Sequence, residues 1–286
     1  MVNAFTVDLE DWYQGLEIES SSWDNYESRV EEATSGLLAL LDHHQVKATF
    51  FVLGYVAEKY PQLVKQIAES GHEIGSHGYS HKFLYSLSRV QFKEELRKSQ
   101  KVLEDIIGTK VQSFRAPFFS ITRDSLWALE VLAEQGFQFD SSIFPVHNYR
   151  YGIPKAPQVP FQIRLDGNGM IQEFPISTVK IGKMNLPFSG GAYFRIFPYQ
   201  FTKFCLRKLN RSQVPVVFYI HPWELDPGHP RIKMPRRISL THYANLESTK
   251  KKLEKLLSEF RFSTLKEVWH NGTKGPVIFP EELKRL

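Results

Sequence analysis

The chain has 286 residues, 42% of them hydrophobic and 14% aromatic, enough to bury a sizeable core in one large α/β domain or two smaller ones. Its net charge of +5 is dispersed except at Lys250–Lys252 and Arg236–Arg237, which speaks for a weak preference for anionic surfaces or substrates and against a nucleic-acid partner. No run approaches the roughly 20 apolar residues of a membrane span, a strand starting within two residues of Met1 leaves no room for a secretory signal, and the single Cys205 excludes an intramolecular disulfide, so a cytoplasmic location is expected.

The first element, Val2–Val7, is a β-branched and aromatic run that reads as a buried strand. It leads directly into Asp8-Leu9-Glu10-Asp11-Trp12. Strand residues i and i+2 share a face, so Asp8 and Glu10 can enter one pocket while Leu9 faces away; Asp11 joins Glu10 only if the strand has already turned into loop. Three acids in four residues repel one another, a cost that a cation or a shared proton relieves. Residues 28–44 carry Val30, Ala33, Leu37, Leu38 and Leu41 at helical spacing, and Lys47–Gly54 is a buried strand. A helix over 60–70 has Pro61 in its first turn and Gly71 as its stop.

The segment His72-Glu-Ile-Gly-Ser-His77-Gly-Tyr-Ser-His81 follows. Gly75 and Gly78 would each cost a helix roughly 1 kcal/mol, so the segment is a loop leaving a strand. Such a backbone can aim His77 and His81 at one point, as a metal that accepts nitrogen ligands requires. Ser88 with Gln91 makes a capping box for a long helix that Gly108 ends. Val111–Pro117 is a strand, 122–135 a helix and Phe137–Ser142 a strand. This alternation predicts a parallel sheet or barrel whose functional residues gather at strand C-termini, where Asp8, His77, Arg115, Asp140 and His221 fall. From about 145 to 240 the alternation lapses into Pro- and Gly-punctuated sequence, expected to be short strands and loops that wall a cleft. There Gly190-Gly191 would allow close backbone approach, with Arg195, Trp223 and Glu224 near the ligand. The regular pattern resumes with Val214–His221, a helix over 244–260 and a strand near 262–265.

Five motifs in this order resemble the polysaccharide deacetylases that share the NodB homology fold (carbohydrate esterase family 4). They are Thr6-Val-Asp8-Leu-Glu-Asp11, Ser76-His77-Gly-Tyr-Ser-His81, Arg115-Ala-Pro117-Phe118, Phe139-Asp140-Ser-Ser142 and Tyr219-Ile-His221-Pro222. The resemblance implies a distorted (β/α) barrel of about seven strands, one catalytic domain over 1–286 with an irregular insertion about 145–213 and a subgroup-specific part about 224–286. Gly190-Gly-Ala-Tyr-Phe-Arg195 and His221-Pro-Trp-Glu224 are similar to a bacterial subgroup linked to exopolysaccharide assembly and exosortases. The implied activity is removal of N-acetyl groups from an N-acetylhexosamine-containing glycan or its precursor.

The resemblance further implies a Zn²⁺-class ion (Co²⁺ or Ni²⁺ being equivalents) held by His77, His81 and Glu10 or Asp11, which would activate water and polarise the acetyl carbonyl. Asp8 would be the general base, paired with Arg115; His221 would protonate the leaving amine, with Asp140 orienting it or holding it charged. The Phe118 backbone N–H would donate to the oxyanion. Trp12, Phe118, Trp223 and Arg195 would contact the glycan. The chain departs from better-known members by its Asp-x-Glu-Asp first motif, by lacking a glycine after Pro117 and by lacking a tryptophan in the fourth motif. The last two departures resemble the branch that contains intracellular peptidoglycan-deacetylase-like proteins and metal-independent allantoinase-like enzymes, so hydrolysis of a small cyclic amide or ureide, with or without metal, is the alternative activity. A non-catalytic glycan-binding module is a third reading, which has no use for an acid–base set.

Overall fold

The computed structural model describes residues 1–272 and 275–286. Its strands are β1 (Val2–Leu9), β2 (Thr49–Val52), β3 (Glu73–Ser76), β4 (Ser113–Phe114), β5 (Phe139–Asp140), β6 (Phe161–Arg164), β7 (Met170–Glu173), β8 (Thr178–Ile181), β9 (Met184–Pro187), β10 (Val217–Ile220), β11 (Arg261–Ser263) and β12 (Val277–Ile278). The main sheet runs β10-β1-β2-β3-β4-β5-β7 in parallel, then continues through antiparallel β6 to β12, with β11 beside the start of β1. The seven parallel strands match the expected number, but among the described residues no ladder closes them into a complete barrel. The gap between β7 and β10 is spanned by irregular chain instead. Ile176 N–H reaches Ile143 O at 3.0 Å, Val217 N–H reaches Ser177 Oγ at 2.9 Å, and Tyr219 N–H reaches Ser189 O at 2.9 Å.

Helices α1 (Val30–His43), α2 (Gly54–Lys59), α3 (Pro61–Glu69), α4 (Arg89–Ile107) and α5 (Trp127–Glu134) connect the first five strands. Ser88 and Gln91 cap α4 reciprocally and Gly108 ends it at φ +69°, as the sequence indicates. The two-residue strand period sorts the core. Phe5, Val7 and Leu9 of β1, Phe50 and Val52 of β2, and Phe218 and Ile220 of β10 belong to the large cluster shared with the helices. Ala4, Phe51, Val217 and Tyr219 belong to a second, interior cluster. Gly75 lies where a Cβ would stand 2.8 Å from the Phe51 ring and 2.9 Å from Ser113 O, so only glycine lets β3 pack there.

The region 145–240 is more regular than its prolines suggest. Besides β6 to β9 it contains α6 (Gly191–Ile196), α7 (Tyr199–Arg211) and α8 (Arg236–Tyr243). The sequence does carry the signal for α7, since Thr202, Cys205 and Leu206 form its buried face directly after Pro198. The C-terminal part holds α9 (Leu246–Glu259), α10 (Leu265–Asn271) and α11 (Pro280–Arg285). No helix among the described residues is long and apolar enough to cross a membrane.

Candidate active site

Asp8 near the end of β1 and Glu10 directly after it both line the cleft at the mouth of the strand array. His77 follows β3, Arg115 follows β4 and His221 follows β10, so all five side chains meet at strand C-termini. Arg115 is fully buried beneath them. Its guanidinium donates to Asp8 Oδ1 at 2.7 Å, Thr6 Oγ1 at 2.8 Å, Ser141 O at 3.0 Å and Ser141 Oγ at 2.8 Å, and lies 4.4 Å from the Phe51 ring centre. Asp8 Oδ2, the other oxygen, is 3.8 Å from His221 Nε2.

Glu10, His77 and His81 bring one ligand atom each to within 4.8 Å of one another. His77 Nδ1 is engaged by Arg115 O at 2.7 Å, which fixes the ring and leaves Nε2 for the cluster. Glu10 Oε2 and His81 Nε2 stand 2.8 Å apart, yet among the described residues this buried oxygen has no hydrogen-bond partner. Two acceptors facing one point suit a shared cation. Protonation also fits: burial pushes the Glu10 carboxyl up, but His81, His221 and His77 outweigh it and hold it at about 2, while burial pushes His77 down to about 4. An anionic carboxylate with a neutral imidazole is the donor set of a divalent transition metal. Asp11 is not part of it. Its carboxylate accepts from Ser28 Oγ at 2.5 Å and from the N–H groups of Trp12 and Arg29, so it caps the entry to α1.

The acid–base geometry corrects one expectation. Asp140 does not orient His221: it accepts from Ser142 Oγ at 2.6 Å, and Ser142 Oγ accepts from Ala116 N–H at 2.8 Å, which fixes the loop after Arg115. Burial raises the Asp140 carboxyl, and burial together with Asp140 raises its neighbour Glu173 well above the usual range. Glu224 takes the place expected for Asp140. Its Oε1 is 2.7 Å from His221 Nδ1, and its Oε2 accepts from Arg195 Nε at 2.6 Å. Burial lowers the His221 imidazole, but Glu10, Glu224 and Asp8 outweigh it and raise it to about 9.

Arg195 borders the cleft, but its guanidinium is committed within the protein. It is 1% exposed, and besides Glu224 it donates to the carbonyls of Thr241, His242 and Ala244 at the end of α8. Burial pushes Glu224 up while Arg195 and His221 outweigh it, leaving Glu224 at about 2. A carboxylate depressed on folding stabilises fully above its ordinary pKa and loses that contribution as pH falls through the folded value. Denaturant titrations from pH 5 down to pH 2 should therefore show a loss on the order of 3 kcal/mol from this group, and Glu224→Gln should flatten that part of the curve.

The surrounding cleft, about 180 Å³, is lined by Phe118, Arg150, Tyr151, Tyr219, Trp223 and His242 in addition to the charged groups. Phe118 packs on His81 with ring centres 4.3 Å apart, and its backbone sits at φ +56°, next to Phe119 at +53° and across from His81 at +53°. Non-glycine residues in this region each cost about 1–3 kcal/mol, and here they cluster at the site. Trp223 stacks on His242 at 4.2 Å and His221 at 5.2 Å, and its Nε1 faces Glu10 Oε1 at 3.4 Å. Trp12, by contrast, is a core residue: it is 1% exposed and donates to Glu27 O at 3.0 Å. Trp12→Phe should cost about 1–2 kcal/mol in a urea melt and leave substrate preference unchanged. Gly190 and Gly191 serve the scaffold, since Cβ atoms there would lie 2.1 Å from Tyr219 O and 2.6 Å from Tyr219 Oη. Arg150, Tyr151, Tyr219 and His242 were not singled out from sequence as lining; Tyr219 has a local signal, since it shares the inward parity of His221 on β10.

Residues 18–139 match the polysaccharide deacetylase family model, and residues 141–270 match a domain of unknown function, DUF3473. Over 100 residues the chain is 40% identical to a peptidoglycan-N-acetylglucosamine deacetylase of Bacillus cereus, covering 35% of this chain and 36% of the relative. It is 31% identical over 112 residues to a peptidoglycan deacetylase of Helicobacter pylori, covering 39% and 36%. The chain thus spans about a third of the length of these curated relatives. In fold it is similar to the crystal structure of a candidate polysaccharide deacetylase from Mycobacterium smegmatis, with a TM-score of 0.61 and 20% identity over 94% of this chain and 88% of that one. His77, His81 and Arg115 lie in the first matched segment, and His221, Glu224 and Arg195 in the second. Residues 18–139 are thus similar to the polysaccharide deacetylase family, and the fold of the chain is similar to that of a solved candidate member.

Proposed function

We propose that this protein is a metal-dependent hydrolase that removes acetyl groups from N-acetylhexosamine units of a polysaccharide or its precursor. The observation that carries the reading is the convergence of Glu10, His77 and His81 with the Asp8–Arg115 pair and His221 in one cleft. The names of the Bacillus cereus and Helicobacter pylori relatives support the glycan class.

A divalent ion on Glu10, His77 and His81 would supply Lewis-acid polarisation and a more acidic water. Asp8 takes the proton of the attacking water at Oδ2, its oxygen left over by Arg115. Arg115 fixes the orientation of Asp8 and balances its charge. His221, charged and directed by Glu224, gives its Nε2 proton to the departing amine. Trp223 and Tyr219 wall the imidazole and exclude water from it. A binding module has no use for such opposed acid and base groups.

Acetate release separates the readings. Incubation with N-acetylglucosamine oligosaccharides should liberate acetate and free amines in equal amounts. Activity on a cyclic ureide with none on any N-acetylated sugar would reject the proposal.

A further inference from the structure

A second hollow of about 560 Å³ adjoins the catalytic cleft, and the two share Arg150 and Tyr151 as lining. Its other walls include Tyr85, Arg123, Asp124 and Tyr149. An aromatic series leads into it from the candidate metal ligands. His81 packs on Phe118 at 4.3 Å, Phe118 stacks on Phe83 at 4.2 Å and 16°, and Phe83 stacks on Tyr85 at 5.1 Å and 26°. The series ends in solvent, where Tyr85 is 44% and Tyr149 67% exposed. Exposed tyrosines offer a ring face and a hydroxyl together, which suits a sugar ring.

The charges around these rings are mostly positive. The Arg237 guanidinium lies 4.6 Å and that of Arg150 5.8 Å from the Tyr149 ring centre. Arg150 is paired with Glu17, whereas among the described residues neither Arg123 nor Arg237 forms an ion pair. Burial lowers the Arg150 guanidinium, while Tyr151 raises it and Arg237 lowers it; with both guanidiniums within 6 Å of the one Tyr149 ring centre, the two cations crowd each other there. Asp124 is the opposing charge on the wall. An anion seated between the arginines would relieve this crowding, whereas a neutral sugar would not.

We propose that this hollow is an outer subsite for an acidic unit, bearing carboxylate or phosphate, of the same glycan chain whose N-acetyl group enters the catalytic cleft. The inference rests on the deacetylase reading and adds the charge of the substrate to it. The two hollows share a wall, so one extended oligosaccharide can occupy both, and the subsite selects chains with an acidic sugar next to the one being deacetylated.

The test is calorimetric titration of the zinc-loaded protein with three tetrasaccharides: neutral N-acetylglucosamine tetramer, its terminally phosphorylated form, and one alternating N-acetylglucosamine with glucuronate. At low salt at least one acidic ligand should bind about three- to tenfold more tightly than the neutral one, and the margin should shrink at high salt, as expected for exposed ion pairs. Whichever acidic ligand shows the margin identifies the anion. Arg123→Ser combined with Arg237→Ser should remove most of it. Both substitutions lie at exposed positions, and retention of the neutral ligand's affinity in the double variant checks its fold. Equal binding of all three ligands by the unmodified protein would overturn the proposal, as would an undiminished margin in the double variant. Binding is read without turnover, so an arginine-dependent margin without acetate release would support the subsite and reject the deacetylase reading separately.

Discussion

Asp8→Asn is expected to cut turnover by about 10²–10⁴-fold while the protein still takes up its ion. Asparagine keeps the shape of the side chain, and its amide oxygen can still accept from Arg115, which approaches Asp8 Oδ1 at 2.7 Å. What it lacks is basicity at the atom facing the cleft, where Oδ2 stands 3.8 Å from His221 Nε2. Asp8 is also outside the cluster of Glu10, His77 and His81, so its loss should not empty that cluster. The check is kcat on an N-acetylated oligosaccharide together with ion content by atomic emission on the same sample. Loss of ion in step with activity would make Asp8 a ligand, and near-normal kcat would remove it from proton transfer.

Glu10→Gln should have the complementary effect, with ion affinity falling by more than about 100-fold, beyond the 10–100-fold that loss of a supporting residue costs. The carboxylate is the only anion of the three ligands, and without it two neutral imidazoles must hold a divalent cation alone. Among the described residues Glu10 Oε2 has no hydrogen-bond partner, and the group nearest it is the second candidate ligand, His81 Nε2 at 2.8 Å. The variant should keep its circular dichroism spectrum, because Asp11, which caps α1, is untouched. Competition against a chromophoric chelator measures the affinity. An unchanged constant would assign the ion elsewhere or to nothing.

Legibility followed local rules. The period of two pointed Asp8 and Glu10 to one pocket, which both line although Glu10 lies just past the end of β1, and that parity also distinguished Phe5, Val7 and Leu9 as outer core. The Gly-flanked His77–His81 segment was legible because its glycines and spacing are local, and Gly78 does adopt φ +74°. The expectation for Asp140 rested on motif order and failed because the partner of a histidine is a tertiary matter. Glu224 reaches His221 from only three residues away, inside a one-turn helix that a His-Pro-Trp-Glu string does not announce. Trp12 and Arg195 show the same limit. A large aromatic beside strand-end acids can still turn into the core, and an arginine in a Gly-rich string can be engaged by carbonyls of a helix some 50 residues later. Helix α7 was missed for a different reason: Pro198 and the prolines before it read as loop punctuation, although one of them directly precedes the helix.

The most direct measurement is acetate release from an N-acetylglucosamine oligosaccharide as zinc is titrated back into chelator-stripped protein. The rate should rise in proportion to bound ion and saturate at one ion per chain. A full rate from ion-free protein, or no acetate from protein carrying one ion per chain, would contradict a metal-dependent N-deacetylase.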